Sequence, residues 1–285
     1  MPTICRPTVA ISADCVTPSS NSCYLPFYGL AVVCADDPQV REILPQIGRP
    51  LLTYGTGDDC DLRASDIVQH GMRTRFRVQL PEVAAPLEIT LELPGRHSVL
   101  NALAALAVGL ELGVQPALLQ QGLARFHGVG RRFHDYGELA LPDGGRVQLI
   151  DDYGHHPREL AAVLAAIRGG WPQCRLVLAF QPHRYTRTRD LFDDFANVLT
   201  TPDALLLTEV YAAGEEPIAG SDGRNLSRAV RARGRLEPVF VGTARDLPAA
   251  LPGVLRDGDI LLTMGAGDIG AVAADLARNG LGGAV

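Results

Sequence analysis

The chain has 285 residues, 47% of them hydrophobic and 20% charged, with a net charge of −6. This is the composition of a globular protein of one large or two ordinary domains, not of a disordered chain. The acidic balance argues against nucleic acid as the main partner, and no apolar stretch reaches the roughly 20 residues that span a bilayer.

Residues 1–24 carry Cys5, Cys15 and Cys23 and a Thr/Ser/Asn-rich stretch. They read as a loosely held leader, with no strong helix or strand pattern and no sustained apolar core of a secretory signal. The run Gly29-Leu-Ala-Val-Val-Cys-Ala35, closed by Asp36-Asp37-Pro38, predicts a buried strand and then a helix start through DPQVREIL. Strands are predicted at 49–54, 74–80 and 87–93. The alternation in MRTRFRVQL leaves one face of the second strand wet. PGRHSVLNALAALAVGLELGV then predicts a long Ala/Leu-rich helix ended by Gly113, followed by a shorter helix over 116–125. Gly128-Val129-Gly130 is a candidate hinge.

Beyond it, strands predicted at 147–151, 175–180, 204–209, 238–241 and 259–264 alternate with helices near 157–168, 189–199, 226–233, 245–255 and 268–278. That pattern predicts an α/β fold with a parallel sheet covered on both faces by right-handed crossovers. None of the six Cys forms a C-x-x-C pair, which fits free thiols in a reducing cytosol. All 26 basic residues are Arg. Without Lys, neither a Walker A loop nor Lys Schiff-base chemistry can be built from this chain.

Ligands of such sheets bind at the carboxyl ends of the strands, where DDYGHHP (151–157), QPHRYTRTR (181–189), EVYAAGEEP (209–217) and GAGDIG (265–270) crowd together. Two carboxylates and two imidazoles in DDYGHHP raise metal binding. However, adjacent His in extended chain point apart, and His156 can cap a helix beginning at Pro157. Arg184, Arg187 and Arg189 lie on one loop, and Arg forks bind carboxylate or phosphate bidentately. GAGDIG matches a dinucleotide fingerprint in context. The chain ends 15 residues later, before the acidic residue expected about 20 residues on. An NAD-type oxidoreductase is therefore secondary to close helix–strand packing. His97 and Asn101 share one helix face one turn apart; capping and ligand contact remain open for them.

Together PGRHSVLNALAA, GVGRRF, DDYGHHP, FQPHRYTRTRDLFDDFANVL and GAGDIG resemble the Mur ligases of peptidoglycan synthesis, in particular the UDP-N-acetylmuramate–L-alanine ligase (MurC) family. LPFYGLAVVCADD is similar to that family's central domain. The resemblance runs from about residue 25 to the C-terminus. It implies an incomplete central ATPase-type domain over 25–127, then a Rossmann-like C-terminal domain with a mainly parallel sheet over 128–285, behind the atypical leader 1–24.

The function implied is ATP-dependent ligation of L-alanine to UDP-N-acetylmuramate through an acyl phosphate, in the bacterial cytoplasm, with no membrane insertion. A non-catalytic binding or regulatory fragment is the alternative. By the resemblance, Asn101 contacts adenine, and His97, Arg132 and Asp152 belong to the ATP site. Tyr153, His155, Arg184 and Arg187 surround the amino-acid and muramoyl substrates. The family usually has Asn where this chain has Ser98. ATP and Mg2+ are implied as cofactors, but the family's P-loop and metal ligands lie upstream of the matching region, where this chain has residues 1–24. Negligible ligase activity and weak ATP affinity are therefore expected of the isolated 285 residues. The strand near Leu30–Val33 is likewise expected to lack neighbours and expose apolar surface.

Overall fold

The computed structural model describes residues 29–81, 83 and 85–281, and the backbone of 8–11. The chain divides into two compact units, Met1–His127 and Gly128–Val285.

The first unit is built on a six-stranded sheet: β1 (Thr8–Ile11), β2 (Leu30–Cys34), β3 (Leu51–Gly55), β4 (Leu62–His70), β5 (Arg73–Gln79) and β6 (Leu87–Leu91), in that spatial order. The first four strands run parallel, and β4–β5–β6 are antiparallel. Asp37 caps α1 (Pro38–Ile43): its carboxylate accepts from the backbone N–H groups of Gln39 and Val40, and Pro38 stands where no N–H is needed. The long helix α2 (Arg96–Glu111) buries Val99, Leu103 and Leu106 against the sheet, and α3 (Pro116–Ala124) follows.

Two expectations change here. A strand, β1, falls inside the segment read as patternless; residues 1–7 and 12–24 of that segment lie outside the described residues. Because β1 and β3 flank β2, and apolar clusters cover both its faces, Leu30–Val33 is buried rather than exposed. Strand β4 was not anticipated. Asp66 stands at φ +50, and a bulge between Ser65 and Val68 breaks the period-two pattern that would announce it.

The second unit contains β7 (His134–Ala140), β8 (Arg146–Asp152), α4 (Pro157–Gly170), β9 (Leu176–Phe180), α5 (Tyr185–Asp190), α6 (Phe192–Val198), β10 (Ala204–Leu207), α7 (Gly223–Ala232), β11 (Val239–Phe240), α8 (Leu247–Ala250), β12 (Ile260–Met264) and α9 (Ile269–Asn279). The sheet order is β11-β10-β9-β12-β8-β7. Every pairing is parallel except β7–β8. Strands β9 and β12 (LVLAF and ILLTM) are buried at every position, as the middle of a doubly covered sheet requires.

Edge strand β7 has only Leu139 buried and carries a bulge at Asp135–Gly137, so its sequence lacks a strand signature. The helix expected over 189–199 is two, broken at Leu191. The one expected over 245–255 shrinks to α8 between two 3-10 turns, because Pro248 and Pro252 deny the backbone donors that a longer helix needs.

Candidate functional site

Strands β8, β9, β10 and β12 are mutually parallel, so the loops after them emerge at one edge of the sheet. Of the expected site residues of this unit, Tyr153 and His155 stand on the loop after β8, Arg184 precedes α5 after β9, and Arg187 lies within α5. The other two are Arg132, just ahead of β7, and Asp152, the last residue of β8.

The two carboxylates that end β8 do different work. Asp151 is fully buried; it pairs with Arg131 (Nε to Oδ2, 3.1 Å) and accepts the Thr263 hydroxyl at 2.7 Å. Asp152 accepts the backbone N–H groups of Phe133 (2.8 Å) and Gly154 (2.7 Å). Burial pushes the Asp152 carboxyl up, against the lowering effect of those two N–H donors. With both oxygens engaged in holding backbone, Asp152 organises its surroundings as an internal acceptor. The two carboxylates of DDYGHHP thus meet different partners, Arg131 and backbone N–H groups. Among the described residues no group of three or more His, Cys, Asp and Glu side chains is placed to hold an ion.

His156 caps α4: its Nδ1 accepts from the Arg158 N–H at 3.2 Å, and Glu159 reaches back to the N–H groups of His155 (2.8 Å) and His156 (3.1 Å). Burial alone would raise the Glu159 carboxyl, but those donors and the nearby His155 and Arg132 outweigh it and hold the carboxyl below its ordinary range. Arg132 lies 3.3 Å from Glu159 Oε1 and over the Tyr153 ring at 5.5 Å, with its side chain 48% exposed.

The imidazoles of His155 and His183 are neighbours, with centroids 5.8 Å apart and planes tilted by 52°. Hydrogen-bond partners set their tautomers. His155 Nδ1 is 3.1 Å from the Tyr153 carbonyl, which only accepts, so in the neutral ring Nδ1 carries the hydrogen and Nε2 the lone pair. His183 Nδ1 is 3.3 Å from Arg187 Nη1, which only donates, so in the neutral ring Nε2–H is the donor. Burial, then the neighbouring His155, Arg187 and Arg184, lower the His183 pKa and so favour the neutral ring. Arg187 also donates to the His183 carbonyl at 3.1 Å.

Arg184 occupies left-handed backbone (φ +72), with its N–H bonded to the Tyr211 carbonyl. Its half-exposed guanidinium stands 3.6 Å from Glu215, which is itself fixed by the Thr186 N–H and hydroxyl. Those donors hold the Glu215 carboxyl below its ordinary range. Tyr153, His155, Arg184 and Arg187 therefore do share one edge, joined by His183, Tyr211 and Glu215. These three lie on the predicted edge segments 181–189 and 209–217, but are not among the site residues the resemblance implies. The EVYAAGEEP loop marked the position of the last two, but nothing in it distinguishes Glu215 from Glu216.

The glycines of GAGDIG have packing reasons. A Cβ on Gly265 would meet the Gln181 carbonyl, one on Gly267 would meet the Gln181 and Tyr211 side chains, and one on Gly270 would strike the Arg131 guanidinium. Gln181 bridges the segment by donating to Asp268 and accepting from Ile269 N–H.

In the first unit, α2 carries half-buried His97 and exposed Asn101. Asn101 lines a mostly apolar cleft of about 320 Å³ with Ser98, Ala102, Ala105, Leu123 and Phe126. Ser98 donates back to the Pro94 carbonyl at 2.7 Å and is buried in the helix start. A flat heterocycle with a polar edge fits this lining: apolar walls and one amide able both to donate and to accept.

Residues 24–109 match the Mur ligase middle domain, and residues 132–267 match the Mur ligase, glutamate ligase domain. The chain belongs to the Mur ligases. It is 58% identical over 260 residues to a UDP-N-acetylmuramate–L-alanine ligase of Xanthomonas campestris pv. campestris (strain B100), covering 91% of this chain and 54% of that protein. The ligase of the same name from Stenotrophomonas maltophilia (strain K279a) is 59% identical over 259 residues, with the same coverage. The chain thus spans about half the length of the curated relatives it matches. Among solved structures, a UDP-N-acetylmuramate–alanine ligase of Thermotoga maritima superposes with a TM-score of 0.68 at 27% identity, over 87% of this chain and 51% of that one. MurF from Acinetobacter baumannii shares the fold, with a TM-score of 0.67 at 18% identity over 88% of this chain and 52% of that one. No helix among the described residues is long and apolar enough to cross a membrane.

Proposed function

We propose that this chain is the middle and C-terminal part of an ATP-dependent ligase joining L-alanine to UDP-N-acetylmuramate, within bacterial peptidoglycan synthesis in the cytoplasm. The observation that carries the proposal is the convergence of Arg184, His155 and His183, with their tautomers opposed, at the carboxyl edge of a parallel sheet. Identity to the curated ligases supports the choice of substrates.

Arg184, held in place through Glu215 and Tyr211, offers its guanidinium to the carboxylate of the amino acid. The lone pair at His155 Nε2 takes the proton that the ammonium must shed before the amine can attack a carbonyl. Nε2–H of neutral His183 donates toward the oxygen on which charge develops. ATP, when bound, supplies the phosphoryl group that activates the muramoyl carboxylate. In the first unit, Asn101 in its cleft and His97 on α2 would hold a heterocyclic base; in the second unit, the exposed Arg132 guanidinium would meet phosphate oxygens, with Asp152 fixing the backbone beside it. Among the described residues no cluster of His, Cys, Asp and Glu fits Mg2+.

The test is a histidine-ring NMR titration of the 285-residue chain with L-alanine. His155 and His183 should shift saturably. Arg184→Ala should abolish the response while changing stability by less than about 0.5 kcal/mol, as surface substitutions do. No response in the wild type, or one that survives Arg184→Ala, overturns the assignment.

A further inference from the structure

Arg132 lies between two residues in left-handed backbone, Arg131 at φ +59 and Phe133 at φ +47. Residues with a Cβ rarely adopt that region, so two of them flanking one Arg need external anchors. Each has its own, and the anchors are consecutive in sequence. Buried Asp151 grips the Arg131 guanidinium, which also donates to the Gly265 carbonyl at 2.6 Å. Asp152 grips the Phe133 N–H. The Arg131 carbonyl accepts the Tyr153 N–H at 2.6 Å, and the Phe133 ring stacks on Trp171 at 6.3 Å, with the planes 10° apart. The Arg131 guanidinium also lies 5.1 Å from the Tyr153 ring, opposite in role to Arg132: one is pinned inward, the other is left half in solvent.

We propose that Asp151 and Arg131 are positioning residues: their pair holds residues 131–133 in a strained arc whose product is the outward presentation of Arg132 to a phosphoryl group. The proposal rests on the reading of Arg132 as a phosphate contact. Neither Asp151 nor Arg131 touches the ligand; both act through Arg132.

Trp171 is the one Trp of the chain, so its fluorescence reports on Phe133 and hence on the arc, without any ligand. The experiment uses the 285-residue chain, with inorganic tripolyphosphate as the anion probe. Asp151→Asn should alter Trp171 emission and acrylamide quenching while far-UV circular dichroism stays unchanged. It should also weaken tripolyphosphate binding by about tenfold, as loss of a charge-assisted contact does. Charge alone predicts the reverse, because the substitution removes a negative group near the anion. Arg131→Met should weaken binding about as much as Arg132→Met, and the double variant no more than either, since contributions routed through one group do not add. Thr263→Val removes a different bond from the same carboxylate; it should lower thermal stability but leave Trp171 and the affinity unmoved.

A folded Asp151→Asn chain with unchanged Trp171 signal, or with tighter tripolyphosphate binding, overturns the proposal. Should that variant fail to fold, Arg131→Met with the same readouts decides. A Trp171 response in a chain whose wild type binds no tripolyphosphate refutes the phosphate reading and leaves the arc standing.

Discussion

Gly270→Ala tests how tightly the second unit is built around Arg131. A Cβ at residue 270 would fall 2.1 Å from Arg131 Cζ, against about 3.5 Å for an ordinary carbon–carbon contact. The guanidinium must therefore retreat by more than an ångström, and it cannot do so and keep both its bond to Asp151 and its bond to the Gly265 carbonyl. Stripping a partner from a fully buried carboxylate costs about 3–5 kcal/mol. Here the lower end applies, because Thr263 continues to donate and the Arg131 side chain is 30% exposed to water. Replacing Gly by Ala inside a helix returns about 1 kcal/mol. The net expectation is a loss of about 2 kcal/mol, which for a unit of this size lowers Tm by about 4–8 °C. Urea unfolding followed by Trp171 fluorescence reads this unit directly. In an Arg131→Ala background the obstacle is gone, and Gly270→Ala should be neutral or stabilising by the propensity gain. A loss below about 0.5 kcal/mol in the wild type, or the same loss in both backgrounds, would refute the reasoning, since surface substitutions alone stay within that range.

In the first unit, burial works to raise the Asp36 carboxyl, but hydrogen bonds from Arg96 and Thr56 outweigh it and hold the carboxyl below its ordinary 3.8. A depressed folded pKa stabilises above the unfolded value and stops doing so as pH falls through the folded one. The stability gap between wild type and Asp36→Asn should thus be full near pH 6 and close on acidification below about pH 4; a gap independent of pH contradicts it. The 285-residue chain on its own should show no ATP-dependent ligation of L-alanine to UDP-N-acetylmuramate, because it contains no Lys for a Walker A loop. Coupled phosphate-release turnover on the order of 1 per second would mean another phosphate site exists.

What could be read from the sequence, and what could not, follows from how each element is buried. The runs LVLAF and ILLTM announce themselves because every position faces the core. Strand β4 and edge strand β7 hide because bulges interrupt their alternation and one face carries little apolar surface. That the segments after β8, β9, β10 and β12 gather at one edge was legible through the rule that parallel strands bring their following loops to one end. Which side chains meet on that edge was not legible. His183 needed its contact with His155, and Glu215 needed the folded 209–217 loop, to join the site.

The pair Asp151-Asp152 shows where local physics reaches further than a motif does. Successive side chains of a strand point to opposite faces, so two adjacent carboxylates at the end of β8 cannot converge on one ligand. One serves each face: Asp151 meets Arg131, and Asp152 meets the backbone of Phe133 and Gly154. Left-handed residues at 131 and 133 then become intelligible as the consequence, because an arc anchored to both faces of one strand end must bend sharply between its anchors. What leaves the arc is a single guanidinium, that of Arg132, resting against Tyr153 and half open to solvent.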